Sequence, residues 1–144
     1  MIAPVFVDSN VLLYALDDTD KTKQKGARDW RAALWTMRLG RLSFQVLSEF
    51  YVNAIRLRPS AREDARAEVR DLLAWHPIAT DGPLIELGWK LQERYHLSYW
   101  DALIVAAAKT ASCRYLLTED LQVGQKLDGV EVVNPFLRDP ADLV

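Results

Sequence analysis

Along the chain the hydrophobic positions keep changing period, and the changes divide it into short strands and longer helices. Val5-Phe6-Val7 is apolar at every position and stops at Asp8; a helical pattern follows through Val11, Leu12, Ala15 and Leu16. The acidic stretch Asp17-Asp18-Thr19-Asp20 closes that segment as a loop. Ala27, Trp30, Leu34 and Met37 recur at helical spacing and predict a helix over 24–39, which Gly40 ends as a C-cap. Leu42-Ser43-Phe44 reads as the next strand and leads into a helix over 46–57 that Pro59 terminates. Ser60-Ala61-Arg62-Glu63 has the form of a capping box opening a fourth helix to about residue 75, where His76-Pro77 breaks it.

The second half repeats the alternation. Ile78-Ala79-Thr80 predicts a brief strand, and Pro83 stands near the start of a helix to about Tyr95. Ser98 opens another, which carries the longest apolar run, Ala102 to Ala108, and ends near Ala111. Tyr115-Leu116-Leu117 and Val130-Glu131-Val132-Val133 are the last strands, with a short helix predicted over 121–127 between them and an irregular tail from Asn134. Strands alternating with helices call for a mainly parallel sheet covered on both faces. The expected fold is a three-layer αβα sandwich, one domain over 1–144, without repeat or linker.

Composition bounds the function. At 144 residues the chain can bury a real core, and half of those residues are hydrophobic. The apolar run of 102–108 falls far short of the roughly 20 residues of a membrane-spanning helix. The N-terminus has no basic stretch or long apolar segment, so it does not read as a signal peptide. Cys113 is the one cysteine, which points to a reducing compartment and a cytoplasmic protein. A net charge of −2 and a pI near 5.7 argue against a general nucleic-acid binder. Any polyanionic substrate must therefore be held by local basic residues or by a cation.

Four carboxylates are the candidate chemistry. Asp8 and Asp120 follow strands, where open α/β sheets place their sites. Glu49 shares a helical stripe with Val46 and Phe50, and Asp101 leads the apolar run. Each also has a local reading: Asp8 as an N-cap, Asp101 as the partner of Ser98 in a capping box, Asp120 as a turn acid, Glu49 as a helix-margin acid. The set carries more than its members.

The strings Phe6-Val7-Asp8-Ser9-Asn10-Val11-Leu12-Leu13-Tyr14-Ala15, Leu47-Ser48-Glu49-Phe50-Tyr51, Ser98-Tyr99-Trp100-Asp101-Ala102-Leu103-Ile104-Val105-Ala106-Ala107-Ala108 and Leu116-Leu117-Thr118-Glu119-Asp120-Leu121 occur in that order. Together they resemble the PIN-domain family, especially the VapC-type toxins of toxin–antitoxin pairs, over nearly the whole chain. The resemblance implies a metal-dependent endoribonuclease leaving a 5′-phosphate and a 3′-hydroxyl. It implies that Asp8, Glu49 and Asp101 match the family's three main acids, that Asp120 matches the fourth, and that Asn10 and Thr118 support the site. Glu119 stands where the family often has Asn, so Glu119 and Asp120 compete for the fourth role, with Asp120 favoured. The implied partners are an RNA substrate, a cognate antitoxin and a second copy in a homodimer, with no membrane.

Electrostatics independently asks for a cation if the acids converge. Two unit charges about 5 Å apart at an effective dielectric near 20 repel by roughly 3 kcal/mol. Oxygen donors without His or Cys select Mg²⁺ or Mn²⁺; His76 and His96 lie outside the motifs. Arg58, Arg62, Arg66 and Arg70 recur every fourth residue with Arg56 nearby, either a track for RNA or a solvated face paired with Glu63, Asp64, Glu68 and Asp71. The group Lys21, Lys23 and Lys25 is weaker still. Trp35 points away from the stripe of Trp30 and suggests a contact surface. Two rivals stand beside the nuclease. A HAD-like phosphatase or a receiver fits an acid after the first strand, but Asn10 stands where a HAD-like enzyme wants a second Asp. A non-catalytic PIN-like binding module is the other.

Overall fold

The computed structural model describes residues 3–143; Met1, Ile2 and Val144, and with them the reading of the extreme N-terminus, lie outside the described residues. Five strands form one sheet in the order β2-β1-β3-β5-β4: β1 is Val5–Val7, β2 Gly40–Arg41, β3 Tyr115–Leu117, β4 Lys126–Leu127 and β5 Val130–Val133. The β1–β2, β1–β3 and β3–β5 pairs are parallel, and β4 returns antiparallel to β5. The helices are α1 Ser9–Leu16, α2 Lys21–Met37, α3 Phe44–Leu57, α4 Arg62–Leu72, α5 Gly82–Tyr95 and α6 Tyr99–Thr110. Together these make a three-layer α/β sandwich with a mainly parallel sheet, as the alternation predicted. The central strands β1 and β3 are covered on both faces, which is why they read as unbroken apolar triplets.

Side-chain caps start the helices. Asp8, Asp20, Ser43, Asp81 and Ser98 each accept a backbone N–H in the first turn of α1, α2, α3, α5 and α6. The caps extend α2 forward to Lys21, three residues before the expected start. In α6 every residue from Ala102 to Ala108 is buried, the central helix that the apolar run required. Trp30, itself buried, donates its indole N–H to the carbonyls of Pro135 (2.9 Å) and Arg138 (3.0 Å). That bond folds the C-terminal segment onto α2, so the tail expected to be irregular is a docked one with a 3₁₀ turn at Pro140–Asp142.

Five local expectations are corrected. Gly40 is not the C-cap of α2: Arg38 takes the left-handed conformation there (φ 58°), and Gly40 lies in β2. The strand expected at Leu42-Ser43-Phe44 is two residues earlier, because Ser43 is needed as the cap of α3. Ser60 forms no capping box; Pro59–Ala61 is a 3₁₀ turn and Ala61, without a side-chain acceptor, precedes α4. Ile78-Ala79-Thr80 contributes one parallel bridge, Ser43 to Ile78, rather than a strand. Residues 121–127 hold turns and β4 instead of a helix, since Gly124 sits at φ 80° and Asp128-Gly129 (φ 55° and 93°) turn the chain back as a tight hairpin.

Gly40 is required by packing. A Cβ there would stand 2.5 Å from the Trp75 ring, closer than any real contact. Alanine in a strand otherwise gains a few tenths to ~1 kcal/mol through the unfolded state, so the clash decides the sign. Gly40→Ala is expected to lower stability by about 1–3 kcal/mol, measured as a fall in the urea midpoint; an unchanged or raised midpoint would show that Trp75 is not seated on the strand.

Candidate active site

The carboxyl ends of β1 and β3 meet beneath the first turn of α1, and three of the four candidate acids, Asp8, Glu49 and Asp120, are linked around that junction. Asp8 follows β1 directly and is only 7% exposed. One carboxylate oxygen accepts the Ser9 N–H (2.7 Å), capping α1; the other accepts the Thr118 hydroxyl (2.9 Å). Thr118 is fully buried at the end of β3, and its backbone N–H is spent on Val133, so only the hydroxyl faces the acid. Burial pushes the Asp8 carboxyl up to about 6. The Ser9 and Thr118 hydrogen bonds work against that rise, while the charges of Glu49 and Asp120 add to it.

The other acids are held by neutral donors. Asn10 donates to Asp120 (3.1 Å) and to the Thr118 hydroxyl (3.0 Å), with a longer contact to Asp8 (3.4 Å). The Asp120 N–H donates back to Thr118 (3.1 Å). Asp120 is exposed, so it stands at the rim rather than in the floor. Glu49 reaches the junction from α3: one oxygen accepts the Ser9 hydroxyl (3.0 Å), the other the Gln45 amide (2.9 Å). Asp8, Glu49 and Asp120 are thus linked through Ser9, Asn10 and Thr118.

Asp101 is joined less directly. It stands in the first turn of α6, its N–H capped by Ser98, and it is half-buried rather than enclosed. Among the described residues its carboxylate makes no hydrogen bond or ion pair. Its neighbour Trp100 accepts the Gln45 amide through its carbonyl (3.3 Å), so α6 and the Glu49 helix meet at that point. Among the described residues no three Asp, Glu, His or Cys side chains stand in an arrangement that would hold a metal ion. The donors present are nevertheless all oxygens with no imidazole or thiolate, the set that suits a hard divalent ion.

Glu119 and Asp120 separate cleanly. Glu119 accepts from Lys23 (2.5 Å) and from the Tyr14 hydroxyl (2.8 Å), and those two donors lower its pKa against the effect of burial. That ion pair ties α2 to the loop after β3 and holds the Glu119 carboxylate on Lys23 and Tyr14. Two contributors escaped the sequence reading. Ser9, between two motif residues, bridges Asp8 to Glu49. Gln45 stands one helical turn before Glu49, a spacing at which an amide reaches a carboxylate.

The arginine stripe divides. Arg66 pairs with Glu63 (3.0 Å) and bonds the Tyr51 hydroxyl, whereas Arg58 pairs with Asp18 (2.7 Å) outside the stripe. Glu68 is taken by Arg31 of α2. The exposed pairs fit a solvated face. Cys113 is buried, with its thiol pushed up to about 12 by desolvation, so it offers no nucleophile at neutral pH.

Comparison with known proteins places this site in context. No curated protein matches the chain. Among solved structures it is similar to a toxin–antitoxin complex from Klebsiella pneumoniae, with a TM-score of 0.66 and 20% identity, covering 92% of this chain and 98% of that one. At that identity the likeness is one of fold. The family model for the PIN domain matches residues 5–126. That span holds β1, β2 and β3, the junction of β1 and β3 and all four candidate acids; the chain belongs to the PIN-domain family, whose members are generally nucleases.

Proposed function

We propose that this chain is a metal-dependent endoribonuclease, the toxin of a toxin–antitoxin pair. The observation that carries the reading is the hydrogen-bonded group Asp8, Asn10, Thr118 and Asp120, with Glu49 joined through Ser9, at the carboxyl end of a parallel sheet. Asp8 and Asp101 would be the principal oxygen ligands, with Glu49 and Asp120 completing the set. When bound, Mg²⁺ or Mn²⁺ supplies a Lewis acid for the phosphate and the counter-charge that an acidic pocket needs before it can accept RNA.

The chain's own residues then divide the remaining work. Thr118 and Asn10 fix the orientation of Asp8 and Asp120, while Ser9 and Gln45 fix that of Glu49. Glu49 and Asp120 would orient the attacking water, which adds to the phosphorus as the 3′ oxygen leaves and takes up a proton, giving a 5′-phosphate and a 3′-hydroxyl. Asp120 takes the fourth role because Glu119 is already spent on Lys23 and Tyr14. The antitoxin partner is supported by the similar complex from Klebsiella pneumoniae. A homodimer and a cytoplasmic setting belong to the same reading; among the described residues no helix is long and apolar enough to cross a membrane.

The test is cleavage of a labelled single-stranded RNA with and without Mg²⁺ or Mn²⁺. Product ends should carry 5′-phosphate, EDTA should abolish cutting, and Asp101→Asn should reduce the rate by about 100-fold or more. Cutting in EDTA, or full activity in Asp101→Asn, would overturn the proposal.

A second outcome follows from the charge on Asp8. Its folded pKa of about 6 lies above the ordinary value of 3.8, so the folded state holds the proton more tightly. The stability due to neutral Asp8 is complete below pH ~4 and is lost as pH rises through ~6, by at most about 3 kcal/mol. Asparagine keeps the N-cap without the charge. In EDTA, Asp8→Asn should therefore melt higher than wild type above pH ~7 and lose that advantage near pH 4. Mn²⁺ should raise the melting temperature of wild type and leave the variant unmoved. An advantage independent of pH would show that Asp8 is not strained by its burial.

A further inference from the structure

The end of the sheet opposite the acids carries a second concentration of side chains that phosphodiester hydrolysis leaves unused. Because β1 and β2 run parallel with Val5 beside Gly40, the junction of α2 and β2 lies at the amino ends of the strands. There Trp35, Arg38, Arg41, Ala74, Trp75 and His76 line a cavity of about 380 Å³. That volume is within the roughly 300–1,000 Å³ of small-molecule sites. Among the described residues no acid lines it, so it is locally electropositive on a chain of net charge −2.

Its parts suit a planar, anionic ligand. Trp35 is 40% exposed. Arg31 lies 4.7 Å from the centre of the Trp35 ring and is itself paired with Glu68 (2.5 Å), so it steadies the ring rather than offering a free cation. Trp75 lies 6.5 Å from Trp35, centre to centre, tilted by 38°. Arg41 donates to the carbonyls of Arg38 (3.1 Å) and Gly40 (2.8 Å), which anchors its guanidinium. Arg38 makes no side-chain hydrogen bond or ion pair among the described residues. Arg38 and His76 both hold left-handed backbone (φ 58° and 55°), a conformation in which glycine or asparagine is less costly.

The plainer account is that cations complement the C-terminal end of the α2 dipole. It explains Arg41 and leaves the exposed indole and the cavity without a role. We propose that this cavity binds a nucleobase together with its phosphate, the base stacked on Trp35 and the phosphate held by Arg38 and Arg41. The source is either a free mononucleotide or an unpaired nucleotide within an RNA strand. The proposal does not rest on the nuclease reading, since it concerns the other end of the sheet and needs no divalent ion.

The test is tryptophan fluorescence of the full chain carrying Asp101→Asn, in EDTA, titrated with 5′-AMP and with a single-stranded oligoadenylate. Adenosine and inorganic phosphate serve as half-ligand controls. Saturable quenching, weakened by salt and at least about tenfold weaker for either half-ligand, is expected. Saturation by AMP identifies a free nucleotide; quenching by the oligonucleotide alone identifies an RNA segment. Arg38→Asn, which keeps the left-handed backbone, should weaken binding about tenfold without changing the melting temperature. Trp35→Phe should remove most of the quench. Absence of quenching by both nucleotides at millimolar concentration, or unaltered binding by Arg38→Asn and Trp35→Phe, overturns the proposal.

Discussion

A carboxylate buried at the meeting of two parallel strands and a helix is the constraint around which this molecule is arranged. Asp8 cannot be satisfied by water, so the fold supplies donors: the first N–H of α1 and the hydroxyl of Thr118, which stands at the end of β3. Parallel pairing of Val7 with Leu117 sets those two residues side by side. The same register lets Asn10 reach across to Asp120. A local helix cap, a sheet register and a polar cluster are thus one arrangement, and desolvation raises the pKa of that carboxyl to about 6.

The layers were legible because apolar periodicity reports burial, and burial is what the layers decide. Val5–Val7, Tyr115–Leu117 and Val130–Val133 stand where their apolar residues put them, and Ala102–Ala108 is the enclosed helix its composition demanded. What periodicity could not see was local backbone chemistry. Asp128-Gly129 is a hairpin signal that the weak helical pattern of 121–127 masked, and Ser43 caps α3 where a strand residue was expected. Gly40 was read by the habit of glycine at helix ends, but its reason is a tryptophan 35 residues further along the chain.

The site was legible in part. Asp8 and Asp120 share the donor Asn10 and both bond Thr118, while Glu49 joins them through Ser9. Asp101 stands apart from that network: its backbone N–H is capped by Ser98, and among the described residues its carboxylate makes no hydrogen bond or ion pair. Choosing between adjacent acids needed three dimensions: Lys23 and Tyr14 come from other helices, and their claim on Glu119 has no local signature. Ser9 and Gln45 were within reach of spacing arguments, but uncharged side chains carry no catalytic signal in a sequence.

The rims of the sheet deserve a last inference from their length. β2 and β4, the outermost strands, are two residues each, and beyond β2 the chain continues into the Ser43–Ile78 bridge. Backbone groups left open along so brief a border cannot template a further ribbon. The sheet therefore ends in edges that offer an added strand little backbone to pair with.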